Sequence, residues 1–418
     1  METYEHRVVA GVLKSGAILD LAQVSEVLAS DVAIVSDPSR AISTDLWPCI
    51  WALAAVLERQ FSGKIIIDCG LTAPLPGPAN LSHRCLFQSV PATTSLCIHV
   101  GLQPPFASYA LWGDARGERV TNQRLLDGDC AAHPVACFAL AGYLGFAALA
   151  QAVGIPPYRE AFRTDQVHLP LSDPGRLREI ELSIIGLGQL GQAYLALLYF
   201  LNARTGLEPS LVLIDKDIFE PPNRHTQVLL SEQQHWNGLQ KATYLEQHVK
   251  TWGWSVRGVE AKITWTWKRP PQDPGLALLG LDKLEARRMA IAAGYEWIID
   301  AGVGESFRQP RLSWHSVPPD NVLARQLFPD RHRQESLAAL EGTALQRELM
   351  DTPGQCGWVT FQSVSAAAPA MGIAAAAYAV TELLNVHSGQ RIPTQGRACL
   401  WSTMLPYYRA AIAPSAIL

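Results

Sequence analysis

The stretch "IIGLGQLGQAYLALL", residues 184 to 198, decides the fold. An apolar lead-in runs into Gly186, Gly188 and Gly191 at G-x-G-x-x-G spacing, and a helical run follows. That order predicts a strand, a tight turn and a helix, the opening of a doubly wound α/β sheet. Glycines in such a turn let backbone N–H groups approach a phosphate at a helix N-terminus. The motif alone leaves the nucleotide open, because NAD, FAD and other adenine-nucleotide folds all use it.

Outward from this turn, the chain repeats itself. "ELSIIGLG" (181–188), a helical stretch and "LVLIDKD" (211–217) parallel "DVAIVSD" (31–37), a helical stretch and "GKIIIDCG" (63–70). Further on, "AAAPAMGIAAAAYAVTELL" (366–384) matches "AAHPVACFALAGYLGFAAL" (131–149) in register, pairing Pro369 with Pro134 and Tyr378 with Tyr143. Both read as Ala-rich helices opened by proline in the first turn. The expectation is two related Rossmann-like α/β domains in one chain, 1–170 and 171–418, joined through the polar, Pro-bearing stretch 163–179. In the first half the turn after the first strand reads "SDPSRAIS", without glycine and with an acid at Asp37. A carboxylate there would repel phosphate, so that half is expected to be degenerate.

Composition sets the limits. The 418 residues are 48% hydrophobic and carry a formal charge of −4, so large cores are expected and no field suited to nucleic acid is evident. Eight cysteines, at 49, 69, 85, 97, 130, 137, 356 and 399, form no C-x-x-C pair, which favours the cytoplasm over a disulfide or zinc framework. The polar start "METYEHRVVAG" lacks the pattern of a signal peptide. The apolar run Val135 to Ile155 is long enough to span a bilayer. It has no flanking Lys/Arg cluster and reads as a buried helix, so no membrane partner is expected.

Residues after the second strand narrow the ligand. Asp215 stands 24 residues beyond Gly191, where a carboxylate can accept from ribose hydroxyls, and Asp217 follows it. Asn223, Arg224 and Gln227 come just past the strand, and Lys241 follows a glycine turn at a helix start. A lysine there suits a triphosphate better than a dinucleotide. Asp282 ends a later apolar strand, facing the crevice, where a carboxylate could hold Mg²⁺ with waters.

The ordered set G-x-G-x-x-G, D-x-D-x-x-x-x-x-N, x-x-x-Q, G-x-x-K-A and L-D-x-x-x-A-R-R resembles the adenylation domain of the ubiquitin-activating and sulfur-carrier-activating superfamily over most of residues 180 to 390. The resemblance implies ATP and Mg²⁺, with attack of a small protein's C-terminal glycine carboxylate on the α-phosphate. By position, Gly186, Gly188 and Gly191 would pass close to the phosphates and Asp215 would hold the ribose. Asn223 and Lys241 would face the phosphates, and Asp282 would bind Mg²⁺. The chain departs from the family at "NRHTQ", where Thr226 stands in place of an arginine and Arg224 comes early, and at Lys283, commonly Asn. The family pairs two such domains, with an arginine near the start of the partner completing the ATP site; "TYEHRVVAG" (3–11) nominates Arg7. Cys356, in "MDTPGQCGWVTFQ", lies shortly before the terminal Ala-rich helix, where sulfur-carrier-activating members place a functional cysteine.

These readings converge on activation of a ubiquitin-like protein with a C-terminal glycine: adenylation, thioester formation on Cys356, and transfer to a ubiquitin-conjugating-type carrier enzyme. The compact chain is most like bacterial activating enzymes of ubiquitin-like conjugation operons, and a further homodimer is left open. Adenylation for sulfur transfer or of a peptide, without conjugation, stands as an alternative, as does a scaffold that binds nucleotide only for stability. An NAD(P)-dependent oxidoreductase would keep the glycines and Asp215 but has no use for Lys241 or Asp282.

Overall fold

The computed structural model describes residues 7–15, 21–42, 45–94, 96–104, 111–116, 119–121, 131–154, 167–168, 179–232, 235–303, 311–317, 368–389, 392–399 and 407–412. In the first half, helices α1 (Arg7–Ser15) and α2 (Leu21–Leu28) precede strand β1 (Val32–Ser36). Helices α3 (Pro38–Ile42) and α4 (Trp47–Gln60) lead to β2 (Ile65–Asp68), β3 (Cys85–Phe87), β4 (Leu96–Val100), β5 (Leu111–Arg116) and β6 (Arg119–Thr121). Helix α5 (Pro134–Val153) and β7 (Val167–His168) follow. The second half runs β8 (Glu179–Ile185), α6 (Gln189–Thr205), β9 (Glu208–Ile214), a 3-10 turn (Pro221–His225), α7 (Lys241–Lys250) and β10 (Ser255–Val259). It continues with β11 (Leu276–Leu279), α8 (Leu284–Ile291), β12 (Trp297–Val303), β13 (Arg311–Val317), α9 (Pro369–His387), β14 (Ile392–Cys399) and β15 (Tyr407–Ile412).

Two sheets result, ordered β3-β2-β1-β4-β5-β6-β7 and β10-β9-β8-β11-β12-β13-β14-β15. Counted from its own first strand, each opens 3-2-1-4-5 with parallel neighbours and then turns antiparallel, at β5–β6 and at β12–β13. The halves are therefore built on one plan. Apolar side chains dominate β1 (VAIVS) and the last four residues of β8 (LSII), as expected of parallel strands buried on both faces.

The repeated Ala-rich helices are where the halves meet. Helices α5 and α9 begin at Pro134 and Pro369 and pack on one another. The paired tyrosines touch, with Tyr143 Oη 2.6 Å from Tyr378 Oη. Small residues make this approach possible: a Cβ built on Gly142 would lie 2.6 Å from Ala374 Cβ and 2.8 Å from the Ala370 carbonyl oxygen. By length and composition α5 and α9 could each cross a membrane, but 89% and 100% of their most apolar windows are buried within the fold. Helix–helix packing accounts for the apolar run within α5, from Val135 to Val153.

One acid lies in this core. Trp314 stacks on Tyr378 at 4.4 Å and donates its Nε1–H to Glu382 Oε1 at 3.2 Å. Burial raises the Glu382 carboxyl to about 7, with the Trp314 N–H partly opposing the rise. A carboxyl raised in the folded state favours folding only while protonated. Its contribution is full below the unfolded glutamate range, about 4.3, and is lost as pH climbs through about 7. Glu382→Gln is therefore expected to be the more stable protein by roughly 2–3 kcal/mol at about pH 8 and to match the wild type near pH 4, read from urea unfolding at both.

The turns after β1 and β8 differ as their sequences predict. Asp37 caps α3 by accepting from Ser39 N–H (2.9 Å) and Ser39 Oγ (2.7 Å). Behind it the buried Arg40 donates to Asp45 (2.8 Å), Asp114 (2.5 Å) and the Ala115 carbonyl (2.6 Å). The first half thus closes with ion pairs the place that the second half opens with glycines.

Candidate nucleotide site

Strand β8 ends at Ile185 and delivers the glycine turn to the start of α6. Gly186 takes a φ of +89°, a region that L side chains rarely adopt. A Cβ on Gly191 would stand 2.2 Å from the Gly186 carbonyl oxygen, so the third glycine is needed for close packing of helix on strand. Gly280, after β11, is equally tight, its added Cβ falling 2.5 Å from the same oxygen; no sequence spacing marked it. Around Gly188 there is open space within 4 Å, and this residue is the N-cap of α6. An uncapped helix N-terminus with a bare, open glycine fits a phosphate group.

The next strand over supplies the acids. Asp215 follows β9 and holds the turn itself: its carboxylate accepts from Leu187 N–H (2.7 Å) and Asp217 N–H (2.8 Å). Burial pushes the Asp215 carboxyl up, while the Lys241 ammonium and these two N–H groups pull it back down. Lys241 begins α7, as its helix-start position predicted, and is 8% exposed. Its backbone N–H donates to the Asp217 carbonyl at 2.9 Å. Its Nζ lies 3.8 Å from Asp217 Oδ2 and 6.0 Å from the centre of the Phe219 ring. The structure therefore brings Gly186, Gly188, Gly191, Asp215, Asp217 and Lys241 together at the C-terminal ends of β8 and β9.

The 3-10 segment is used differently from its sequence reading. Asn223, 4% exposed, accepts from Glu220 N–H at 3.1 Å in a capping box rather than pointing outward. Gln227, 1% exposed, accepts from Gln192 Nε2 at 2.7 Å. Thr226, at the position of the family's arginine, is fully buried, and its hydroxyl has no hydrogen-bond partner among the described residues. Arg224 is ion-paired with Glu232, whose other oxygen lies 2.9 Å from His83 Nδ1. Arg224 and Glu232 line a cavity of about 520 Å³ between the halves, with Glu58, Arg59, Arg84 and Trp236 on its walls. Burial and the nearby Arg59 and Arg84 guanidiniums lower the Arg224 pKa.

Asp282 is exposed three residues beyond the end of β11, on the crevice side. The loop that carries it is anchored from within. Arg287 Nε donates to the Leu281 carbonyl (2.9 Å), and its Nη1 reaches the fully buried Asp300 (3.0 Å), which also meets His315 Nδ1 (3.2 Å). Among the described residues no group of three His, Cys, Asp or Glu could hold a metal by itself. A Mg²⁺ ion here would therefore rely on Asp282 together with phosphate oxygens and water, the usual way this ion is held beside a nucleotide.

Two candidates fall elsewhere. Cys356 lies outside the described residues, and so does the side chain of Arg7, whose backbone starts α1. Of the other cysteines, Cys49, Cys69 and Cys137 are buried and Cys85 and Cys97 are half-buried. Burial pushes all five thiols up, away from reactive thiolate.

A doubled α/β fold with a glycine turn, strand-end acids and a helix-start lysine in its second half defines an E1-like protein. Residues 179–390 match the family model of the BilD C-terminal domain, and the chain belongs to that family. It is 33% identical over 218 residues to the bacterial E1-like protein BilD of Collimonas sp. (strain OK412), a match covering 50% of this chain and 45% of that relative's length. Solved structures of E. coli MccB are more distant. The complex with MccA-N7isoASN is 16% identical over 66% of this chain and 72% of its own, with a TM-score of 0.37. The complex with ATP is 15% identical over 69% and 91%, with a TM-score of 0.35.

Proposed function

We propose that this chain activates a ubiquitin-like protein by ATP-dependent adenylation of its C-terminal glycine and then takes the acyl group onto Cys356 for transfer to a conjugating-type carrier enzyme. The observation that carries the reading is the convergence of an open glycine turn, the buried Lys241 and the exposed Asp282 at the strand ends of one sheet, in a member of an E1-like family. A dinucleotide would use the glycines and Asp215 but leave Lys241 and Asp282 without a task. The first half, its own turn closed by Asp37 and the Arg40 ion pairs, is the inactive partner.

The chemistry needs alignment and charge neutralisation more than covalent help. A glycine carboxylate oxygen forms a bond to the α-phosphorus while the bond from that phosphorus to the bridging oxygen breaks, and pyrophosphate leaves with its charge. The N–H groups at the start of α6 and the Lys241 ammonium stabilise the phosphates, and Asp215 orients the ribose. Mg²⁺, held through Asp282, would add charge to offset that of the leaving group. In the second step the Cys356 thiolate attacks the acyl carbon, AMP departs, and the thiol proton goes to solvent.

The test is incubation with a ubiquitin-like protein ending in glycine, ATP and Mg²⁺, followed by intact mass with and without reductant. The expected product is a reductant-labile adduct that Cys356→Ala abolishes while pyrophosphate exchange persists. AMP without any adduct would support adenylation for sulfur transfer or of a peptide. Thermal stabilisation by NAD(P) and not by ATP with Mg²⁺ would overturn the reading.

A further inference from the structure

The inactive half does more than pair with the active one. Arg59, in the last turn of α4, is 6% exposed and spends its guanidinium across the junction. Its Nε donates to the Gln227 carbonyl (3.0 Å) and its Nη2 to the carbonyls of Val228 (3.1 Å) and Leu230 (2.9 Å), while Nη1 holds its own helix at Ala55 O (2.7 Å). On the far side the same segment is gripped by Gln192 of α6. Leu229 N–H donates to Gln192 Oε1 at 3.0 Å, which fixes the orientation of that amide. The two Nε2 hydrogens then go to Gln227 Oε1 (2.7 Å) and to the carbonyl of Leu187 (3.3 Å), the residue between Gly186 and Gly188.

We infer that Arg59 is a positioning residue for the phosphate turn of the other half, acting through residues 227–230 and Gln192. Three main-chain carbonyls and the carboxamides of Gln227 and Gln192 link a first-half side chain to the Leu187 carbonyl of the glycine turn, each through a named hydrogen bond. A planar guanidinium can serve three carbonyls on one segment and a fourth on its own helix; an ammonium of similar reach cannot. The degenerate half is thereby retained as a support that sets where the Leu187 and Gly188 backbone stands. The link to nucleotide affinity rests on the function proposed above, whereas the link between the two segments does not.

The experiment uses the full chain as wild type, Arg59→Lys, Gln192→Leu, the double variant and Val56→Ala. Val56 is a buried residue of the same helix that packs against Gly145 of α5 and makes none of the clamp's hydrogen bonds, so it reports plain loss of packing. Without ligand, amide hydrogen exchange of peptides covering 184–192 and 227–232 is expected to quicken roughly fivefold in Arg59→Lys and not in Val56→Ala at matched loss of melting temperature. Affinity for a fluorescent ATP analogue is expected to fall about five- to tenfold in each single clamp variant, and the double variant to be no worse than the weaker single one. Unchanged exchange at 184–192, equal changes in Val56→Ala, or multiplying affinity losses would each overturn the coupling. A wild type that binds no ATP analogue overturns the nucleotide reading, and the exchange measurement still decides whether Arg59 reaches the turn.

Discussion

Lys241→Ala is expected to lower substrate-dependent ATP–pyrophosphate exchange by about 10²–10³-fold and to leave the fold intact, the effect of removing one preorganised charge at a phosphoryl centre. Lys241 is 8% exposed, so its ammonium acts in a partly desolvated place, where a charge is worth more than in water. The backbone bond from Lys241 N–H to the Asp217 carbonyl, 2.9 Å, survives the substitution and keeps the start of α7 in place. The variant also leaves Asp215 without the cation that helps keep it ionised, so burial pushes its carboxyl further up. Lys241→Arg is expected to recover only part of the rate, since a forked guanidinium does not occupy the place of a compact ammonium. Exchange at the wild-type rate in Lys241→Ala would remove the lysine from the site.

Gly142→Val is the largest expected change in stability, about 3 kcal/mol or more, read as a lowered urea midpoint. Valine cannot be accommodated by rotamer adjustment, because the atoms in its way are Ala374 N at 2.7 Å and the Ala370 carbonyl at 2.8 Å, both backbone of α9. The helices must separate, and the hydroxyl pair of Tyr143 and Tyr378 parts with them. A midpoint within experimental error of the wild type would mean that the α5–α9 contact is not the main junction between the halves.

Much of this architecture could be read from the chain because both halves carry the same punctuation. Prolines at 134 and 369 start α5 and α9, and the tyrosines nine residues on meet each other in the core. The glycine turn was equally plain, since only glycine tolerates the φ of Gly186 and the closeness of Gly191 to Gly186. The roles of Asn223 and Gln227 were not plain: polar residues beside a site invite a ligand reading, yet both are consumed by backbone capping and by Gln192. The reach of Arg59 across the junction left no trace, because its partners there are main-chain carbonyls some 170 residues away, and carbonyls have no spelling in a sequence. Asp300, Arg287 and His315 fail for a related reason, as they come together only when β12, β13 and α8 pack.

The shared strand order of the two sheets, with one turn open and the other closed, has an evolutionary side. In a pair made from two copies of one gene, every substitution appears on both sides of the junction at once, so a change that improves support on one side damages chemistry on the other. Joining the copies end to end breaks that bond. Residues 36–40 carry Asp37, Pro38 and Arg40 where residues 186–191 carry glycines, a difference that two copies of one gene product could not hold between them.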